Sequence, residues 1–327
     1  MSGPYIMRKG VSSVTDLKGG HAAIGLGVGN VYYVIKSTEA YYDQFLTERQ
    51  GVYNDGSVIV HTDIQSALDA TVECRNDYVI VQPADADYDI TETLTMTKKA
   101  VHLICPAGMT GSTGATNACR IHQTTGDIPI LQIADAGCEV AGFYLKSGSG
   151  ASPLVTGVEM IAGCYGVNIH HNYFCVNGVT GDGPVLGGTG ANGNGAWGII
   201  HHNRLVTITS GVTFPVLWNF PYTSYSLLVE HNSFSIQTGV TISTAVINMS
   251  GGYGEANFNT FSALTTFPSQ GLTAPSITAC IHLGGGAGGA IGNRGAILTG
   301  DLLSGGTANA QFSDNMDAHS GGAAVES

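Results

Sequence analysis

Charge is scarce in this chain. Asp, Glu, Lys and Arg make up only 11% of its 327 residues, against about 25% in an ordinary globular protein. Basic residues are the rarest: 12 Lys+Arg stand against 24 Asp+Glu, for a net charge of −12. Nucleic-acid binding needs a basic stripe, so that class is excluded. No apolar run reaches about 18 residues, so no membrane-spanning helix is expected. The opening, Met1-Ser2-Gly3-Pro4-Tyr5-Ile6-Met7-Arg8-Lys9, has no charged stretch leading into an apolar core, and no signal peptide is expected. Seven cysteines occur without a CxxC. Several lie inside apolar runs such as Leu103-Ile104-Cys105. They read as buried free thiols of a protein made in a reducing compartment. Runs of Ala, Leu, Glu and Lys, which helical repeats need, are also missing.

What the chain has instead is a recurring phrase. It reads Ile169-His170-His171-Asn172-Tyr173-Phe174, then Ile200-His201-His202-Asn203-Arg204-Leu205, then Val229-Glu230-His231-Asn232-Ser233-Phe234. Weaker copies follow around Asn259 and Asn293. The Asn-to-Asn steps are 31, 29, 27 and 34 residues, a period that marks a solenoid. Short alternating runs flank each copy, which argues for strands. The 47 glycines supply turns between them. The expected fold is all-β: a right-handed parallel β-helix with three short strands per coil.

In stacked coils the five asparagines would stand one above another. An amide donates to the one above and accepts from the one below, so Asn172, Asn203, Asn232, Asn259 and Asn293 are expected to form a ladder. Asn also tolerates the left-handed backbone of a tight corner. The Phe or Leu two residues on should point into the core. His170, His171, His201, His202 and His231 suggest a metal row. They follow the repeat, however, and lack the carboxylate or thiolate companions of a zinc site. No metal and no cofactor are expected.

Along the chain, residues 1–28 read as an arm, either a disordered tail or one ordered only against a partner. Residues 29–83 hold a strand at Val31–Ile35, a polar stretch, an amphipathic helix and a strand ending at Pro83. The helix starts at Thr62 or Asp63 and shows Ile64, Leu68 and Val72 on one face. Coils are expected over 84–300, with strands at Ile90–Met96, Val140–Leu145, Val167–Phe174, Gly198–Ile208 and Leu227–Ile236 among others. A Gly-rich insert, Gly178 to Gly195, lacks the Gly-Lys-Ser/Thr ending of a phosphate loop. Residues 301–327 are expected to form a final cap and a loose tail.

The order of strand, loop, helix and a strand reading Val79-Ile80-Val81-Gln82-Pro83 resembles the start of pectate-lyase-like β-helices. There a helix plugs the open end of the first coil, which would otherwise expose core and unpaired backbone. Ala84 stands where that family usually has Gly. The run Val140-Ala141-Gly142-Phe143-Tyr144-Leu145 resembles another strand of that superfamily. Gly29-Asn30-Val31-Tyr32-Tyr33-Val34, the helix around Ile64–Ala70 and the low-charge coils resemble structural proteins of tailed phages. The resemblance implies a protein of the virion surface, made in a host cytoplasm. It further implies docking to other virion proteins, such as the major capsid protein, through the N-terminal arm. So little surface charge suggests faces buried against copies of itself, and a homotrimer is expected.

Many proteins of this fold cleave polysaccharides. Hydrolysis needs two or three gathered carboxylates, and lyases need clustered Asp with a basic residue. Past residue 121 the only cations are Lys146, Arg204 and Arg294, and the coil acids are scattered. Glu159, Asp182 and Glu230 are the least unsuitable carboxylates, and an acid cluster could arise between subunits. Trp197, Trp218, Tyr222 and Tyr225 could offer a stacking strip to host polysaccharide, although packing between subunits fits them too. The expected function is a non-enzymatic capsid decoration or head fibre. A tailspike depolymerase is the alternative.

Overall fold

The computed structural model describes residues 29–49, 51–107, 119–125, 128–147, 156–161, 163–177, 183–188, 195–221, 226–251, 254–264, 275–283, 288–296, 301–305, 311–313, 315–317 and 322–323. The arm at 1–28 lies outside them. The fold is all-β: three long parallel sheets, stacked as in a parallel β-helix, with two short helices among the described residues. Each coil contributes one strand to each sheet in turn. Asn168–His170 lies in the first sheet, Tyr173–Val176 in the second and Leu186–Gly188 in the third. No helix among the described residues is long and apolar enough to cross a membrane.

The core is built from columns of inward side chains. On the first sheet Val140, Ile169, Ile200, Val229, Ala256 and Ala290 are in register and buried. On the second, Leu145, Phe174, Leu205, Phe234 and Phe261 do the same. Alternation works because side chains one residue apart on a strand face opposite ways. A coil wider than this column would leave voids, and a narrower one would strain rotamers.

Several expected strands are broken in two. Val140–Leu145 divides into Glu139–Ala141 and Tyr144–Lys146, and Val167–Phe174 into Asn168–His170 and Tyr173–Val176. Gly198–Ile208 and Leu227–Ile236 divide likewise, and Ile90–Met96 becomes Tyr88–Ile90 and Leu94–Met96. The halves belong to different sheets. The repeated phrase is therefore a corner, and its apolar residues point inward from both sides of the bend. Strand stacking also continues past residue 300, through Asp301–Gly305 and Gln311–Ser313.

The open end of the first coil is covered by a helix, α2, at Ile64–Ala70. Asp63 caps it, its side chain accepting from Ser66 N at 2.8 Å. Ile64, Ala67 and Leu68 are buried, whereas Val72 lies past the helix end and is 43% exposed. The helix also satisfies an edge: Gln65 accepts from the backbone N–H of Thr95, in the first strand of the third sheet. Lys98 Nζ donates to the Asp69 and Thr71 carbonyls at the helix's far end. The polar stretch before it holds a second helix, α1, at Tyr42–Arg49. Phe45 sets its ring edge-on to Tyr33, and the buried Arg49 lies over both rings. The helix thus covers the outer face of the first sheet. With so few apolar residues it carries no periodicity, so the sequence did not announce it.

Candidate functional site

The corner between the first and second sheets is the most ordered outward feature of the coils. Its first residue takes the left-handed conformation: φ is +84° at Gly142, +54° at His171, His202, His231 and Phe258, and +65° at Gly292. The expectation that Asn itself would adopt this conformation is corrected, because the strain falls one residue earlier. For a bulky residue such as Phe258 it costs about 1–2 kcal/mol, so the surroundings must impose it. At Gly142 a side chain is impossible, since a Cβ would lie 2.2 Å from the Cys105 carbonyl oxygen.

Behind each corner stands an asparagine. Asn203 Nδ2 donates to Asn232 Oδ1 in the next coil at 3.1 Å and to the Ile169 carbonyl of the previous coil at 2.8 Å. Its own Oδ1 accepts from the backbone N–H and the Nδ2 of Asn172, at 3.0 and 3.1 Å. Both donors and both acceptor positions of the amide are used. The same set repeats at Asn232, Asn259 and Asn293. Asn315 closes the column, 22 residues after Asn293. Sequence reasoning missed it because the step shortens and Asp317 stands two places on, where the phrase has Phe or Leu. At the other end Phe143 occupies the Asn position, and its N–H donates to Asn172 Oδ1.

In front of the ladder the imidazoles stack in two columns. His170 lies over His201 at 4.9 Å. The other column runs His171, His202, His231 and Phe258, with rings 5.1 to 5.2 Å apart. It ends on Gly292, where a Cβ would strike the Phe258 ring at 2.5 Å. Within a coil the two columns are joined, Nδ1 to Nδ1: His170 to His171 at 2.9 Å and His201 to His202 at 2.8 Å. One nitrogen of each pair must be the donor. His170 Nε2–H donates to Glu139 and His201 Nε2–H to Asn168 Oδ1. In neutral rings this leaves His171 and His202 as the Nδ1–H donors.

Glu139 is the second functional residue the sequence did not flag. Its carboxylate sits between His102 Nδ1 at 2.6 Å and His170 Nε2 at 2.7 Å. Burial pushes its pKa up, but the two hydrogen bonds and the imidazole charges outweigh that and hold it at about 2. Burial, then repulsion from His170, His202, His171 and His231, lowers His201 to about 4. His171 is lowered by burial and by His170 and His202. Burial and the neighbouring rings thus favour the neutral form at His171 and His201.

The other singled-out residues are dispersed. Glu159 is in the third sheet, buried, accepting from Gln132 Nε2 at 2.7 Å. Glu230 is in the first sheet, three coils later. That is on the order of 14 Å along the axis at the usual strand spacing, beyond the ~5–9.5 Å between paired glycosidase carboxylates. Asp182 lies outside the described residues, as do Tyr222 and Tyr225. Trp218 is fully buried between Phe174 and Phe234, so it is a core residue and not part of a surface strip. Trp197 is 64% exposed beside Tyr165. Six cysteines are buried and Cys74 is exposed, all free. Burial pushes Cys138 up to about 11 and Cys164 up to about 12, which keeps both as inert thiols. Asp87, Asp89 and His122 lie close enough to share an ion, but Asp87 pairs with Arg120 and His122 bonds Asp89.

No family model matches the chain, and no curated protein matches it. Among solved structures, ORF18 of Geobacillus virus E2 is similar at 14% identity with a TM-score of 0.35. The likeness covers 78% of this chain and 57% of that one, so the chain spans less than two thirds of that protein's length.

Proposed function

We propose that this chain is a non-enzymatic structural protein of a tailed-phage particle, a capsid decoration or head fibre on the virion surface. In this reading its β-helix is of the pectate-lyase-like kind and the protein is a homotrimer. The arm at 1–28 docks it to the major capsid protein, and the exposed Trp197 face is open to host polysaccharide. The observation that carries the non-enzymatic part is the separation of Glu159 and Glu230 on different sheets, three coils apart. The repeated side chains are committed to stacking: the amides of Asn203, Asn232, Asn259 and Asn293 are saturated, and the imidazoles bond one another. Such a rod suits a passive, durable surface element. The phage part rests on the resemblance of the opening strand, the capping helix and the low-charge coils.

Quantitative mass spectrometry of purified particles tests the reading through the copy ratio of this chain to the major capsid protein. A ratio comparable to the capsid protein is expected. A few copies per particle would favour the tailspike reading, to be followed by a glycan-cleavage assay. Absence from particles would overturn the virion assignment.

A further inference from the structure

The few cations of the later coils are confined to one face. All three cations past residue 121 lie in strands of the second sheet, at outward positions: Lys146, Arg204 and Arg294. The first sheet carries Glu139, Glu230 and Glu255, also outward, because their neighbours Val140, Val229 and Ala256 fill the core. Glu139 is hydrogen-bonded by His102 and His170. Among the described residues every ion pair of the chain uses groups at or before His170. Arg204, Arg294, Glu230 and Glu255 enter none of them.

Two adjacent faces of one rod therefore present opposite charges without ion-pair partners among the described residues. We infer that these faces are the two halves of one interface: the first sheet of one copy packs against the second sheet of the next. This inference rests on the self-association in the reading above, which also supplies the number three. Charge sorting supplies the pairing. A two-fold contact would set the same face against itself, Glu against Glu or Arg against Arg. A cyclic, head-to-tail contact sets each face against its opposite.

The heights agree. Arg204 and Arg294 are in one outward column, separated by Ser233 and Thr260. Glu230 is one coil beyond Arg204, and Glu255 is one coil short of Arg294. For parallel copies side by side at equal height, each Arg meets a Glu about 4.8 Å away along the axis, within reach of its side chain. Apolar surface lies on the same side: Ile199 is 40% exposed on the first sheet and Phe258 48% at the shared corner. Ring closure through these two faces turns the shared corner toward the axis, which buries Phe258.

The test is the oligomeric state of the full chain by sedimentation velocity at micromolar concentration. Arg204→Glu with Arg294→Glu, and separately Glu230→Arg with Glu255→Arg, should each weaken the trimer by at least ~100-fold, since like charges then face each other. The chain carrying all four reversals should assemble again, to within ~10-fold of the unaltered protein. Circular dichroism checks that each variant folds. Should a double reversal fail to fold, Arg204→Gln with Arg294→Gln replaces it and should weaken the trimer by ~10-fold. Both double variants remaining trimeric would overturn the face pairing and leave self-association standing. Failure of the fourfold variant to reassemble would overturn it as well. A monomeric unaltered chain would remove self-association itself.

Discussion

In the opening segment Arg75 reaches three different partners, whereas in the later coils Asn232 reaches a copy of itself on either side. Arg75 donates to both Asp77 oxygens at 2.7 and 2.8 Å, to Asp55 and to the Tyr32 hydroxyl. Asp77 is fully buried and also accepts from the backbone amides of Asn30 and Val72. Each contact occurs once. The coils beyond Glu139 use one contact repeatedly, and their ion pairs give way to amides and stacked rings. The difference follows from neighbours. A coil inside the stack has equivalent residues above and below, so a single self-complementary side chain serves every level. The first described coil is covered by α2 instead of by a like coil and needs specific partners for each exposed group.

The largest expected effect therefore lies at the cap. Asp77→Ala leaves Arg75 and two amides without their acceptor, and breaking a buried pair in this way costs about 3–5 kcal/mol. Thermal denaturation should show the loss, and because the cap covers the core end, aggregation should accompany it. An Asp77→Ala protein as stable as the original would mean that the segment is not stapled by this carboxylate.

Asn232→Ala comes next. It removes the acceptor of the Asn203 amide and the donor to the Ile200 carbonyl in the middle of the ladder. Leaving such groups buried and unpaired costs about 1–3 kcal/mol, measurable by urea unfolding. Asn315→Ala, at the ladder's end, also takes the acceptor from Asn293 but should cost less, because no further ladder asparagine among the described residues loses a donor.

Acid should produce the smallest and most gradual effect. His201 sits near 4 in the folded protein, against about 6.5 when unfolded. The unfolded chain then binds the extra proton, so stability falls as pH drops from about 6.5 toward 4. Glu139, held at about 2 against about 4.3 unfolded, adds a second loss as pH falls below about 4.3. Melting temperature against pH should show both windows, and His201→Gln should flatten only the upper one. A profile unchanged between pH 7 and 4.5 would contradict the lowered pKa of His201.

Legibility in the sequence followed the same division. The phrase around Asn172, Asn203 and Asn232 repeats, so the parallel β-helix and the members of the column could be read directly. Its corner was expected too, but not the break it makes in the strand: Ile169 and Phe174 are both apolar and inward, and only the backbone shows that His171 turns the chain between them. The Glu139 network was invisible because its partners lie in other coils, as with His102, 37 residues away; Arg75 and Asp77 are two residues apart, but no pattern marks that pair as buried. Sorting of Arg204 and Glu230 onto different faces needed the strand phase, which the unbroken strands had blurred.

Hydrogen–deuterium exchange on the unaltered chain and on Asn232→Ala measures the contrast between the two regions most directly. Peptides spanning 199–205, 228–236 and 255–262 should exchange slowly in the parent and all speed up in the variant. Peptides within 29–81 should be unchanged, because their partners are their own. Faster exchange confined to 228–236, or spread evenly to 29–81, would contradict a ladder that couples neighbouring coils and spares the cap.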